Sequence, residues 1–195
     1  MYPFEIHITV EVLPASRLPA FVEVCQQLQA KPLLIELARG ATATQPMLSK
    51  MVQRQSLAEA LAVAAADAEF FGRHDLPATR IKIETAPHYS HLAVSAGSRS
   101  LLSYFEWHGK VSYERTDALL ALCLAHKAHL SRNALKGQIN TRFITLREFG
   151  TIGVFQTRVA ALTAALYKQW PLLKQESECC LYDSNTALDA GWLPQ

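Results

Sequence analysis

The sequence has little of what marks the special classes of protein. Of its 195 residues only 8 are glycine and 9 are proline, which excludes fibrous and linker-rich chains. Charged residues make up 18% and hydrophobic residues 50%, a balance that excludes intrinsic disorder. Apolar stretches stay shorter than the roughly 18 residues that a membrane helix needs, so we expect no membrane partner. The sequence predicts a soluble globular protein.

An excess of one charge is also lacking. The chain has 19 Lys and Arg against 17 Asp and Glu, and this net charge of +2 predicts no duplex nucleic acid partner. The segment Met1–Val10 carries Glu5 and His7 where a secretory signal has a basic start and an apolar block. The four cysteines form no CxxC motif. Together these features predict a cytoplasmic protein with reduced thiols.

Familiar nucleotide and hydrolase signatures are missing as well. The sequence has no Walker motif, no GxGxxG and no GxSxG. We therefore expect no cofactor, and no metal in the leading interpretation below.

Hydrophobic periodicity predicts two successive halves with the same order of elements. Alternating residues indicate six strands: Phe4–Val12, Pro32–Leu37, Thr79–Thr85, Tyr104–Tyr113, Arg142–Phe149 and Glu176–Asp183. Between them, helices begin at Ser16 and Ser56 in the first half and near Asp117 and Val159 in the second. The order of elements is βαβαβ, twice.

A short internal repeat supports this division. Phe4-Glu5-Ile6-His7 recurs as Phe105-Glu106-Trp107-His108, each time at the start of a half. The predicted class is therefore α/β (α+β): a duplicated βαβαβ fold with two ferredoxin-like halves related by a pseudo-twofold axis. One continuous mixed sheet is the alternative.

The predicted halves cover residues 1–86 and 103–195, with a connecting loop at 87–102. The second half ends in a tail, Ala187–Gln195. Leu188, Trp192 and Leu193 in this tail are large apolar residues, which we expect to pack on the body or on a second subunit, as in a homodimer.

The two first strands place polar residues on one face each. Since side chains alternate along a strand, Glu5, His7 and Thr9 share a face, and Glu106, His108 and Lys110 share the corresponding one. If these faces meet, both histidines reach one ligand, where one imidazole can accept a proton while the other donates. A solvated sheet face is the alternative interpretation.

His7-Ile8-Thr9-Val10 resembles the histidine-x-threonine-hydrophobic motif of the two-histidine phosphoesterases, which are duplicated proteins of similar length. The resemblance implies metal-independent hydrolysis or ligation of 2′,3′-cyclic or 2′,5′-linked phosphate esters. It assigns His7 and His108 as the catalytic acid and base and Thr9 as a phosphate ligand. Lys110 stands where that family has Ser or Thr, and a lysine can attract phosphate as a point charge.

Two polar tracts support a small anionic ligand. Residues 38–57 contain no acid but carry basic residues, among them Lys50, and we interpret them as a loop. Ser131, Arg132 and Asn133 offer hydroxyl, guanidinium and amide donors, and Arg147 is expected beside the histidines. Ordinary solvated loops are the alternative.

Two other interpretations use the same residues. Duplicated α/β modules with a histidine on each first strand are similar to the vicinal-oxygen-chelate metalloenzymes. That resemblance implies a divalent ion bound by His7, His108 and either Glu5 or Glu106, although modules of that family have the order βαβββ. The third interpretation is a non-catalytic module that binds another protein or associates with itself.

Overall fold

The computed structural model describes residues 1–95, 103–112, 116–136 and 140–191. These residues form eight strands: β1 Tyr2–Val10, β2 Lys31–Leu37, β3 Thr44–Arg54, β4 Ala78–Thr85, β5 Tyr104–Ser112, β6 His129–Asn133, β7 Thr141–Glu148 and β8 Leu172–Asp183. They also form five helices: α1 Leu18–Gln27, α2 Leu57–Arg73, the four-residue α3 Leu92–Ser95, α4 Thr116–Ala125 and α5 Ile152–Leu166.

All eight strands belong to one closed antiparallel barrel. Their order around it is β1-β3-β2-β6-β7-β5-β8-β4, and β4 returns to pair with β1. At one junction of the two halves Ile35 of β2 pairs with Asn133 of β6, and at the other Lys82 of β4 pairs with Asp183 of β8. A barrel of eight strands is just wide enough inside for side chains to fill. The inward side chains are therefore in close contact with one another.

The predicted duplicated βαβαβ fold with two ferredoxin-like halves is wrong, although the chain does combine helices with strands. Each half contains a further strand, so its order is β-α-β-β-α-β, and the sheet is a single closed barrel. β3 occupies most of the tract 38–57 interpreted as a loop, and β6 includes Ser131, Arg132 and Asn133. Polar residues on both strands hid their alternation, and Pro46 interrupts the pattern of β3. The duplication itself stays a prediction.

The predicted connection and tail lie partly outside the described residues. In the connection, Pro87–Tyr89 is a 3₁₀ turn and Leu92–Ser95 is α3, whereas residues 96–102 are not described. In the tail, Trp192 and Leu193 are not described. The carbonyl of Leu188 accepts a hydrogen bond from Gln45 Nε2 at 3.3 Å, so the described part of the tail contacts the barrel.

The helices pack on the outer face of the barrel and form two apolar cores with it. In the first half Phe4, Ile6 and Ile8 of β1 are fully buried beside α1 and α2, whose Phe21 and Phe71 rings stack with centroids 5.9 Å apart. A second core forms in the other half around Trp107 and Leu146, together with residues of α4 and α5. Because the odd and even residues of a strand face opposite ways, the outward apolar residues leave the polar ones inside the barrel.

No helix within the described ranges is long and apolar enough to cross a membrane.

The four cysteines are free and buried. Burial raises the pKa of the Cys25 and Cys123 thiols to about 12 and that of Cys179 to about 11. Since the thiolate is the reactive form, these side chains are poor nucleophiles at neutral pH. They act as small core residues.

We predict that Gly109→Ala destabilises the fold by about 1–3 kcal/mol, because an added Cβ would overpack the core. That Cβ would lie 2.2 Å from the Trp107 ring, which is itself buried and donates a hydrogen bond to Gln175 through Nε1. Urea denaturation measures the change. Gly72→Ala in α2 is the matched control: its Cβ meets nothing within 4 Å, and losing a helical glycine stabilises by about 0.5–1 kcal/mol. Equal stability of the two variants would contradict the packing argument.

Candidate functional site

The inward faces of β1, β4, β5 and β8 bring together seven ionisable side chains, which we name the histidine cluster: Glu5, His7, Lys82, Glu84, Glu106, His108 and Glu178. His7 pairs in register with Lys82 of β4, and Glu106 of β5 pairs with Glu178 of β8. The alternation that buries Ile6 and Trp107 in the outer cores turns these polar residues inward.

A chain of ion pairs joins the two halves through the histidine cluster. His7 Nε2 lies 3.0 Å from Glu84 Oε2, and Lys82 Nζ lies 2.7 Å from Glu84 Oε1. The same ammonium lies 2.5 Å from Glu106 Oε2. Lys82 thus bridges a carboxylate of β4 in the first half and one of β5 in the second.

His108 is held by contacts to both ring nitrogens. Its Nε2 lies 3.5 Å from Glu106 Oε2 and 3.4 Å from Glu178 Oε2. Its Nδ1 hydrogen-bonds Thr145 Oγ1 at 3.0 Å. Although its side chain is 31% exposed, the ring orientation is fixed.

His7 differs from His108 because one of its nitrogens is unused. Its side chain is 12% exposed, and its Nδ1 is buried without a hydrogen-bond partner among the described residues. Its Nε2 faces Glu84 at 3.0 Å and Glu5 at 3.6 Å, and Ser49 Oγ donates a 2.6 Å hydrogen bond to Glu5. Burying this nitrogen without a hydrogen bond lowers the stability of the fold, unless a group outside the described residues pairs with it.

The neighbouring charges shift the pKa values of both histidines upward. Burial alone would lower the pKa of His7, but the hydrogen bond and charge of Glu84 raise it above its ordinary value. For His108 burial also acts downward, and Glu106 and Glu178 raise the pKa to about 10. His108 therefore favours the imidazolium form at neutral pH, and the pKa of His7 is shifted in the same direction.

The carboxylates respond in different ways. Despite burial, Lys82 and His7 lower the pKa of Glu84 to about 2, and Lys82 and Arg147 hold that of Glu106 well below its usual range. Burial and the charge of Glu84 raise the pKa of Glu178. Of Glu84, Glu106 and Glu178, it is thus Glu178 that accepts a proton most readily as the pH falls.

A second group of buried or half-buried side chains, which we name the arginine cluster, lies next to the first: Arg80, Tyr104, Arg147, Asp183 and Asp189. The guanidinium of Arg147 donates to Glu106 at 2.8 Å and to Asp189 at 2.6 Å, and it lies 4.1 Å from the centroid of the Tyr104 ring. Arg80 pairs with Asp183 at 2.6 Å and Asp189 at 2.9 Å. Asp189 comes from the 3₁₀ turn Thr186–Asp189 that follows β8. Arg147 thus connects the two clusters.

The structure brings part of the predicted site together. Glu5, His7, Glu106 and His108 all belong to the histidine cluster, and Arg147 adjoins it through Glu106. Thr9 is buried one inward position beyond His7, opposite Arg80. Lys110 lies one inward position beyond His108 and pairs in register with the exposed Lys174.

Four other predicted residues lie elsewhere. Lys50 is on the outer face of β3, where it pairs with Asp67 of α2 at 2.8 Å, and Arg132 pairs with Glu36. The side-chain oxygen of Asn133 accepts hydrogen bonds from two backbone amides at 3.2 Å, and Ser131 is buried in β6. These residues support the barrel and do not join the histidines.

Sequence reasoning missed Lys82, Glu84 and Glu178 in the histidine cluster. Arg80, Lys82 and Glu84 alternate with Ile81 and Ile83, so the pattern was visible in the sequence. The sequence could not show that this polar face points into the interior of a closed barrel, next to the inward face of β1. Asp189 carried no periodic signal because it lies in a turn, and Asp183 is the last residue of β8.

The histidine cluster also contains atoms that suit a metal ion. One ligand atom each from Glu84, Glu106 and His108 lies within 4.8 Å of the other two. Carboxylate oxygen and imidazole nitrogen are ligands of divalent transition metals.

Known proteins resemble this chain only weakly. No protein-family model matches the chain, and no curated protein matches it. Among solved structures, the acetolactate synthase small subunit from Thermotoga maritima is 7% identical, with 91% of this chain and 93% of that chain covered and a TM-score of 0.30. A chlorite dismutase from Candidatus Nitrospira defluvii is 16% identical over 91% of this chain and 90% of that one, with a TM-score of 0.32. Likeness at this level identifies neither family nor function.

We predict that Arg147→Met lowers the free energy of unfolding by about 3–5 kcal/mol, because it leaves Glu106 and Asp189 as buried carboxylates without this partner. Urea denaturation measures the loss. Arg73→Met is the matched control, since Arg73 pairs with Glu69 on the surface and its loss should cost no more than about 0.5 kcal/mol. A similarly small loss for both variants would show that the buried pairs do not hold the barrel together.

His129 should make the fold sensitive to acid. Its Nδ1 lies 2.8 Å from Arg39 Nη2, and burial together with the charges of Arg39 and Arg147 lowers its pKa to about 4. The unfolded chain binds a proton there near pH 6.5, so stability should fall as the pH drops from about 6.5 to about 4. In His129→Gln, urea midpoints measured across this range should fall less steeply than in the wild type. An unchanged slope would count against the pKa shift.

Proposed function

We propose that the histidine cluster binds a small oxyanion and that His7 transfers a proton with it. The observation that carries this proposal is the buried Nδ1 of His7, which has no hydrogen-bond partner among the described residues. With Nε2 donating to Glu84, the ring has one further nitrogen to offer. In the imidazolium form this nitrogen is a donor, and a phosphate or carboxylate oxygen is the acceptor that it fits best.

Cationic side chains at the edge of the site support an anionic ligand. Lys110 and Lys174 are register partners on β5 and β8, next to His108 and Glu176 on the inward faces. Lys174 is 67% exposed and pairs with Glu176 at 2.7 Å, a surface ion pair that an anionic ligand can replace. Phosphate esters are the first class to test, because the resemblance of His7 and Thr9 to the two-histidine phosphoesterases implies them.

The contacts of the two histidines favour different roles. His7 has a ring nitrogen to give to the ligand, so it is the candidate general acid. His108 has contacts at both ring nitrogens and is better suited to stabilising charge beside the ligand. Donation from His7 to an oxygen of the ligand would neutralise charge that builds up there during ester cleavage.

The test is binding and turnover with the substitution His7→Gln. Glutamine can still reach Glu84 with an amide N–H, whereas it has nothing at the position of Nδ1. Binding of inorganic phosphate and of a 2′,3′-cyclic nucleotide is measured by calorimetry, and hydrolysis of the cyclic nucleotide by chromatography. We expect wild type to bind both, and His7→Gln to lower turnover by about 10²- to 10⁴-fold, the usual contribution of a general acid.

His126→Gln is the matched control, because His126 follows α4 and lies outside the histidine cluster. It should bind and turn over the ligands as wild type does. Wild-type protein that binds neither phosphate nor cyclic nucleotide would overturn the proposal. So would a His7→Gln variant with full binding and turnover.

A further inference from the structure

We propose that Glu84, Glu106 and His108 form a binding site for one divalent transition-metal ion. The proposal does not rest on the oxyanion function, since it uses other atoms of the cluster. Ligand atoms of the three residues lie within 4.8 Å of one another, and those of Glu106 and His108 are 3.5 Å apart. Two ligands that each bind a metal at about 2.1 Å are separated by roughly 3–3.5 Å, so small side-chain movements complete the site.

The orientation of His108 supports ligation through Nε2. Thr145 fixes the ring through Nδ1, and Nε2 points at Glu106 and Glu178. Metal-binding histidines usually have their second nitrogen hydrogen-bonded in this way, which fixes the tautomer and the ring plane. Glu178 Oε2, 3.4 Å from Nε2, can supply a fourth ligand.

Glu84 is a buried carboxylate that already binds a cation. Its side chain is 1% exposed, and the ammonium of Lys82 lies 2.7 Å from its Oε1 in an ion pair. Buried carboxylate oxygens normally accept hydrogen bonds, pair with a cation or bind a metal. A metal ion at Oε1 would therefore take the place of the Lys82 ammonium.

Metal binding displaces positive charge from the cluster. Four carboxylates, from Glu5, Glu84, Glu106 and Glu178, face two permanently cationic side chains, Lys82 and Arg147. The imidazoles of His7 and His108 offset the difference when both are protonated, so ligation through Nε2 releases the proton of His108. Lys82 Nζ, between Glu84 and Glu106, lies where such an ion would contact both carboxylates, so the ammonium has to swing aside when the metal binds.

A mixed set of two or three carboxylates and one imidazole suits manganese, iron or zinc better than calcium or magnesium, which prefer oxygen alone. Mn²⁺ is the practical probe, because its free form gives a sharp electron paramagnetic resonance signal that is lost on binding. The full chain is stripped with a chelator, dialysed and titrated with MnCl₂. We expect one ion per chain, and nitrogen modulation from one imidazole in pulsed spectra of the complex.

Two ligand variants and one competitor variant test the assignment. Glu106→Gln and His108→Asn should each weaken Mn²⁺ binding at least tenfold, the usual scale of such losses. If Glu106→Gln does not fold, His108→Asn decides, since its side chain is part exposed. Lys82→Met removes the competing ammonium and should bind Mn²⁺ more tightly than wild type. Glu148→Gln is the control, because Glu148 pairs with Arg158 away from the cluster.

Wild-type protein without saturable Mn²⁺ binding would overturn the metal site, as would equal affinity in wild type and both ligand variants. A complex without nitrogen modulation would also overturn it, because His108 would then not be a ligand. None of these results depends on phosphate or on His7→Gln. Failure of the metal site and failure of the oxyanion function can therefore be told apart.

Discussion

The guanidinium of Arg147 is the constraint on which the interior of the barrel depends. It is 1% exposed and pairs with Glu106 of β5 on one side and Asp189 of the C-terminal turn on the other. In an interior of this width, charged side chains that lack water must be balanced by one another. Arg147 does this for both clusters at once. The position of Glu106, and through it Lys82 and His108, follows from where this guanidinium lies.

The C-terminal turn makes one folded unit out of two similar halves. Asp189 accepts hydrogen bonds from Arg80 of the first half and from Arg147 of the second. The backbone of the same segment reaches the segment between β2 and β3, where the amide of Ala41 donates to the carbonyl of Ala190 at 3.0 Å. Residues that come last in the chain thus contact both halves, so neither half has its charges satisfied alone. This dependence explains why the interior is shared and not divided between two separate sheets.

Six of the eight strands could be predicted because each carries an apolar face that packs under helices. In β1, for example, Ile6 and Ile8 alternate with His7 and Thr9, and the alternation alone predicts a strand. β3 and β6 could not be predicted in this way. β3 contains Pro46, and Lys50 on its outer face is satisfied by an ion pair with α2 that no local pattern reveals. β6 is short, and the side-chain oxygen of its Asn133 accepts hydrogen bonds from the backbone amides of Leu34 in the neighbouring β2 and of Leu135.

In the candidate site, too, some residues could be predicted from periodicity and others could not. Periodicity was enough to place Glu5 with His7 and Glu106 with His108, since each pair shares one strand. Periodicity could not assign Lys82 and Glu84 to them, because an alternating polar face usually meets solvent. Only closure of the barrel turns that face inward and makes the ammonium of Lys82 a bridge between the halves. Local pattern determines which residues share a face, and tertiary closure determines what that face meets.

The two proposed ligands, if both bind, should help each other. The four carboxylates of the histidine cluster are offset by Lys82, Arg147 and the protonated histidines, so an oxyanion alone adds net negative charge. A divalent ion at Glu84 and Glu106 adds positive charge and frees Lys82 from its bridging position. His7, bonded to Glu84 through Nε2, would then present Nδ1 beside a metal cation. Because linkage is reciprocal, bound oxyanion should raise metal affinity by the same factor by which metal raises oxyanion affinity. The close spacing of Glu84, His7 and Lys82 is what makes such coupling physically reasonable in this barrel.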